Sequence, residues 1–236
     1  MTEKRKKILN AVLTGVFIAA LTIFIVTFSI GLPIYCRFFY YIQIKTLNLP
    51  SQAAEWGIEA TAKEIRQAYD QILDFCTLPN RQFKSGVFEM SEAGIAHFAD
   101  CKVLFNLNLG GIIGGGAVSL LLILLNRFKV ITLCRPFGHR PQFSAAIIAV
   151  ALPVIIGLLA VIVGFERAFE AFHAVFFPGK TNWTFNPAYD QIITVMPEEF
   201  FLNCAVIIGV GLVAFSVALI AADLILLKME KKISSR

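Results

Sequence analysis

Four apolar runs decide what this chain can fold into. Residues 8–32, 109–127, 145–165 and 200–227 are each apolar over roughly the 20 residues a helix needs to cross a bilayer. Runs of that length in lipid must satisfy their own backbone hydrogen bonds, so they are helices. At 57% hydrophobic over 236 residues, the chain is too apolar for a soluble domain. The expected fold is an all-α membrane protein, one membrane domain over residues 1–236 with four transmembrane helices. A small α+β extracellular cap, built from 33–108 and 166–199, is expected to complete it.

Charge sets the orientation. The N-terminus (Lys4, Arg5, Lys6, Lys7), the middle loop (Arg127, Lys129, Arg135, Arg140) and the C-terminus (Lys228, Lys231, Lys232, Arg236) hold twelve of the 21 lysines and arginines. Four spans put these three segments on one side, and the positive-inside rule makes that side cytoplasmic. Both termini are then inside. The net charge of +5 is a cytoplasmic excess facing anionic membrane lipid, and not a nucleic-acid footprint. The start, KRKK followed by apolar residues, has the outline of a signal peptide but is too long and lacks a small-x-small cleavage site. Leu32–Cys36 only faintly resembles an acylation box, since Tyr35 stands directly before the cysteine.

In the first outer segment, Pro33 is expected to stop the first span. Tyr35–Leu49, rich in aromatic and β-branched residues, reads as a short strand or hairpin. Thr61–Cys76 reads as an amphipathic helix, with Thr61 and Glu64 as a capping box and Ile65, Tyr69, Ile72 and Leu73 at helical spacing. Lys84–Phe88 is short and extended, and Ser91 caps the helix that follows. Span two opens on Gly110, Gly111, Gly114, Gly115 and Gly116, which permit close helix contact; no P-loop lysine accompanies them. The five cysteines show no metal spacing, and the sequence leaves open a disulfide among Cys36, Cys76 and Cys101. Asn182 opens a sequon taken as chance. Asp223 is expected to reach toward Lys228, and His139 to be solvated.

Two outer stretches carry the candidate chemistry. One is Glu89–Phe105, with His97 on a helix and Asp100, Cys101 and Leu104 on the same face. The other is Phe172–Phe201, where His173 stands among Phe172, Phe176, Phe177, Trp183, Phe185 and Tyr189, rings suited to a membrane surface. Either histidine alone is ordinary; two beside membrane entry points form a candidate acid–base pair, because imidazole titrates near neutrality. Asp100 would fix the tautomer of His97, and Lys102 would bind an anionic headgroup or a developing oxyanion. Two rival readings stay open: a metal-dependent membrane hydrolase using His97, Asp100 and His173 as ligands, and a non-enzymatic accessory or ligand-binding protein. Bound zinc would favour the first, and function surviving loss of both histidines the second.

The H-x-x-D-x-K-x-L-F run at His97–Phe105 and the F-H-x-x-F-F…W-x-F…P-x-x-F-F run at Phe172–Phe201 together resemble the bacterial lipoprotein intramolecular transacylase family, Lit. Four spans, a long first outer segment and inside termini fit the same resemblance. The family pattern usually has methionine and valine where this chain has Phe98 and Cys101. The resemblance implies an acyltransferase of the bacterial plasma membrane with its active site on the extracellular face. It implies transfer of the sn-2 acyl chain of a diacylglyceryl-cysteine lipoprotein onto that cysteine's α-amino group, giving the lyso form. His97 and His173 would be catalytic, with Asp100, Lys102, Phe176, Phe177 and Trp183 supporting. His97 is expected to activate the amine, because Asp100 can raise its basicity, and His173 to donate the proton. Diacylated lipoproteins are the implied partners; no metal or other cofactor is called for. The oligomeric state is not decided.

Overall fold

A computed structural model describes residues 2–235, which form eight α-helices and no strand among them. They are α1 (Glu3–Tyr35), α2 (Arg37–Thr46), α3 (Leu49–Glu55), α4 (Ala62–Thr77), α5 (Glu92–Arg127), α6 (Pro141–Val163), α7 (Phe165–Phe176) and α8 (Glu198–Ser234). Three of them, α1, α5 and α8, are long and apolar enough to cross a membrane. The chain is a multi-pass membrane protein. The fourth expected span falls on α6, which is not one of those three.

The chain divides into two compact units. The first takes in the chain up to Ile30, Asn108–Gly157 and the chain from Ile208; the second takes in Gly31–Leu107 and Leu158–Ile207. In the first unit, Phe17, Leu21, Ile25, Leu122, Ala145, Ala149 and Leu212 form the core. The glycine cluster does what its composition suggests. A Cβ on Gly115 would lie 2.8 Å from the Ala20 carbonyl oxygen and 2.9 Å from the Phe24 nitrogen. Both are backbone atoms of α1, which cannot turn aside, so α1 and α5 pack this closely only over glycine. Gly115→Ala is expected to force the helices apart and destabilise the protein by about 1–3 kcal/mol. A thermal-unfolding midpoint in detergent equal to that of the native protein would contradict this.

Also in the first unit, Asp223 and His139 depart from expectation. Asp223 is fully buried and does not reach Lys228. Its carboxylate accepts from the Arg140 backbone N–H at 3.1 Å and lies 2.7 Å from His139 Nδ1. Arg140 and Arg135 both pair with Glu230, at 2.7 and 2.8 Å. His139 is not simply solvated, since its ring also stacks on Phe143 at 4.0 Å. A charge this deep needs partners close by, and these are nearer than Lys228.

The second unit corrects the cap: it is helical, not α+β. Tyr35–Leu49 is helix through the end of α1, α2 and the start of α3, and α1 continues two residues past Pro33. Tyr40, Gln43 and Ile44 are the buried residues of α2, and their i, i+3, i+4 spacing is that of a helix face. Tyr40 stacks on Tyr69 of α4 at 3.8 Å and donates its hydroxyl to the Val195 carbonyl at 2.7 Å. The Thr61–Glu64 capping box is present. Ser91 caps α5 through a 3.0 Å bond from the Gly94 N–H, and is itself held by the buried Asp190. All five cysteines are free, so none of Cys36, Cys76 and Cys101 is in a disulfide.

Candidate functional site

Within the second unit the two candidate histidines meet. His97 lies in the first turns of α5, ahead of the apolar run that begins at Leu109, and His173 lies in the last turn of α7. Their ring centroids are 5.8 Å apart, and the residues are only 8% and 5% exposed. α7 is amphipathic, FERAFEAFHAVF, and His173 is its buried residue because Phe169, one turn earlier, shares its face. The two rings are 4.2 Å apart.

Aromatic rings make most of the site. Trp183 stacks on His173 at 4.5 Å, and Phe177 touches both histidines, at 4.8 Å from His97 and 5.6 Å from His173. Phe185 stands edge-on to His97 at 5.5 Å. Of the expected supporting rings, Phe177 and Trp183 are therefore in contact with the pair. Phe176 is half exposed and packs on Phe172 instead. Phe169, though within the α7 pattern, was not singled out by sequence; its place four residues before His173 was the available signal.

The polar partners differ from expectation. Asp100 does not hydrogen-bond His97 or Lys102: its two oxygens are taken by Lys180 and, at 3.1 Å, by the Asn182 amide. Lys180 first, with Asn182 adding to it, holds the Asp100 carboxyl below its ordinary range. Asn182, set aside as a chance sequon, is thus part of the clamp that ties the α7–α8 loop to α5. Lys102 is turned away, donating to the Leu78 carbonyl at 3.3 Å and covering the Phe75 ring at 4.7 Å. Asp100 being committed to Lys180 and Asn182, the ligand set of the metal-hydrolase reading does not converge. Among the described residues no group of three or more His, Cys, Asp or Glu is placed to hold a metal ion.

Each histidine is poised differently. His173 donates Nδ1–H to the Phe169 carbonyl at 2.7 Å, which leaves Nε2 as the acceptor. His97 has Nε2 3.5 Å from the Cys101 sulfur, and its Nδ1 is buried without a partner. Burial first, then the neighbouring His173, pushes His97 down to about 4. Burial also lowers His173, against the upward pull of its bond to Phe169. Both shifts favour the neutral ring, and a neutral ring can accept a proton.

The family model for "Lipoprotein intramolecular transacylase Lit" matches residues 15–201. The in meso structure of the membrane integral lipoprotein intramolecular transacylase Lit from Bacillus cereus is 22% identical, with a TM-score of 0.81 over 95% of this chain and 98% of that one. A variant of the same protein with a histidine replaced by arginine gives a TM-score of 0.78 at 22% identity, covering 99% of this chain and 97% of that chain. No curated protein sequence matches. Identity this low carries the fold alone, whereas the family model covers most of the chain. The chain belongs to the lipoprotein intramolecular transacylase family, Lit, and is an acyltransferase of the membrane.

Proposed function

We propose that this protein moves the sn-2 acyl chain of a diacylglyceryl-cysteine lipoprotein onto the α-amino group of the same cysteine. The observation that carries the reading is the buried pair, His97 and His173, 5.8 Å apart in an aromatic enclosure. The α-ammonium, with pKa near 8, first gives one proton to solvent, and the neutral amine must lose a second as its nitrogen bonds the ester carbonyl. His173 Nε2, the acceptor left by the bond to Phe169, takes that proton. As the ester C–O bond breaks, the imidazolium returns it to the glycerol oxygen, so the step is neutral overall. His97 faces the same centre and hydrogen-bonds the reacting oxygen. This reverses the expected division of labour, which relied on Asp100 raising the basicity of His97. Donor and acceptor are one molecule, so the enclosure chiefly folds the substrate back on itself and keeps water out. Phe177 and Trp183 line the place where the glyceryl and acyl groups would lie. The test is fragment-ion mass spectrometry of a lipoprotein N-terminal peptide after co-expression. The transfer is an isomerisation, so intact mass stays constant and only fragments locate the acyl chain on nitrogen.

The topology follows from charge. α6, 23 residues long, would extend about 35 Å and serves as the fourth span, covering the expected run from 145 to its own end at Val163. The three basic segments then share the cytoplasmic side of the plasma membrane, and 33–108 and 166–199 form the extracellular cap with the histidines. A reporter fused after Arg236 or within Arg127–Arg140 should read cytoplasmic, and one within Asn48–Trp56 extracellular. A cytoplasmic reading at Asn48–Trp56 would remove the site from the outer face.

Acidification provides a further check. A histidine whose pKa falls on folding binds a proton more readily when unfolded, so its contribution to stability is present above the unfolded value near 6.5. That contribution is lost as pH falls toward about 4, the folded value for His97. Melting temperature should therefore drop between about pH 6.5 and 4, and drop less in His97→Asn. Turnover should rise with pH through the amine pKa near 8. An optimum below pH 6 would contradict neutral histidines.

A further inference from the structure

We propose that the Cys101 thiol holds His97 in the tautomer that carries its proton on Nδ1, so that His97 enters the reaction as a hydrogen-bond donor opposite the acceptor His173. The assignment rests on the histidine chemistry set out above. Cys101 lies one turn along α5 from His97, with Sγ 3.5 Å from Nε2. A neutral imidazole has one donor and one acceptor nitrogen, and a thiol can offer either role weakly. Imidazole nitrogen is the better acceptor of the two and sulfur the poorer, so S–H to Nε2 is the stronger arrangement. Burial, helped by Asp100, pushes the Cys101 thiol up to about 12, so the thiol keeps the proton this bond requires.

Once Nε2 accepts, the ring proton sits on Nδ1. That atom is buried and has no partner, on a residue 8% exposed. An unpartnered buried donor is costly, and within this site the missing acceptor is an oxygen of the substrate. The ester carbonyl, as it gains negative charge, or the departing glycerol oxygen fits that need. His173 is held the opposite way, with Nδ1–H on the Phe169 carbonyl and Nε2 bare. The pair therefore offers one donor and one acceptor while both rings are uncharged. The thiol forms no bond to the acyl chain; it acts through His97.

Nitrogen-15 NMR of histidine-labelled protein in lipid nanodiscs reads the tautomer directly, with His97→Asn assigning the signal. The native protein should show a protonated Nδ1 and a bare Nε2 on His97. Cys101→Ser keeps a donor and should keep that spectrum and activity close to native. Cys101→Val fills similar space without a donor; it should move proton density to Nε2 and lower kcat with KM little changed. The loss should be roughly three- to tenfold, the worth of one neutral hydrogen bond. A protonated Nε2 in the native protein, or a His97 spectrum that Cys101→Val leaves unchanged, overturns the assignment. Full turnover by His97→Asn overturns the catalytic use of the donor and the histidine mechanism with it, while the native spectrum judges the thiol's role separately.

Discussion

Replacing His173 by alanine will lower lyso-lipoprotein formation by about 10²–10⁴-fold, the usual worth of a positioned proton-transfer group. The ring is held on several sides at once, by Phe169, Trp183 and Phe177, and its Nδ1–H is committed to a backbone carbonyl. A side chain so fixed presents one nitrogen in one direction. His97→Ala should cost a similar factor if the two rings work on one substrate. The double variant should then lose little more than either single one, because groups acting as a unit are not additive. Activity is measured as the fraction of lipoprotein carrying its acyl chain on nitrogen, in membranes holding equal amounts of each variant. Losses that multiply in the double variant would show two independent roles. Lys180→Ala makes a useful contrast. Its ion pair with Asp100 is half exposed and worth about 1 kcal/mol or less, so folding should barely change.

The second large effect concerns stability. Asp223→Ala is expected to destabilise the protein by about 3 kcal/mol, the lower end of the range for breaking a buried charge pair. The carboxylate is fully buried and binds the Arg140 backbone and the His139 ring. Removing it leaves those donors unsatisfied, and Arg140 keeps Glu230 as its ion-pair partner and a 3.5 Å bond to the backbone carbonyl of residue 223. The measurement is the thermal-unfolding midpoint of purified protein in detergent. Asp223→Asn, which can still accept hydrogen bonds, should lose less. Equal midpoints for native and Asp223→Ala protein would mean that the cluster contributes nothing net. His139→Ala should lower the midpoint modestly while leaving acyl transfer per folded molecule unchanged, since it belongs to this cluster and not to the His97–His173 pair.

What the sequence revealed depended on how local the signal was. Spans α1, α5 and α8 were legible because bilayer thickness leaves a long apolar run few alternatives. The capping box at Thr61 and the face shared by His97 and Cys101 were legible because helix geometry fixes contacts three and four residues apart. Tyr35–Leu49 was misread because its aromatic and β-branched composition suggested a strand, while the helical spacing of Tyr40, Gln43 and Ile44 was the stronger cue. Asp100 was given to His97 as its nearest charged neighbour along the helix. Its actual partner, Lys180, comes from 80 residues away, and no pattern within one segment announces such a pairing. The same holds for His139 and Asp223, 84 residues apart. In both, a carboxylate was taken from the local reading by a partner that only tertiary packing supplies.

We infer that His173 moves the proton, and His97 hydrogen-bonds the reacting oxygen, during transfer of an acyl chain within one lipoprotein. Fragment-ion mass spectrometry of a diacylated lipoprotein, co-expressed with the native protein or with the His97→Ala, His173→Ala double variant, tests it most directly. The native protein should place the sn-2 acyl chain on the α-amino group, and the double variant, present in the membrane at equal level, should leave it on glycerol. Native-level N-acylation by the double variant would contradict the account.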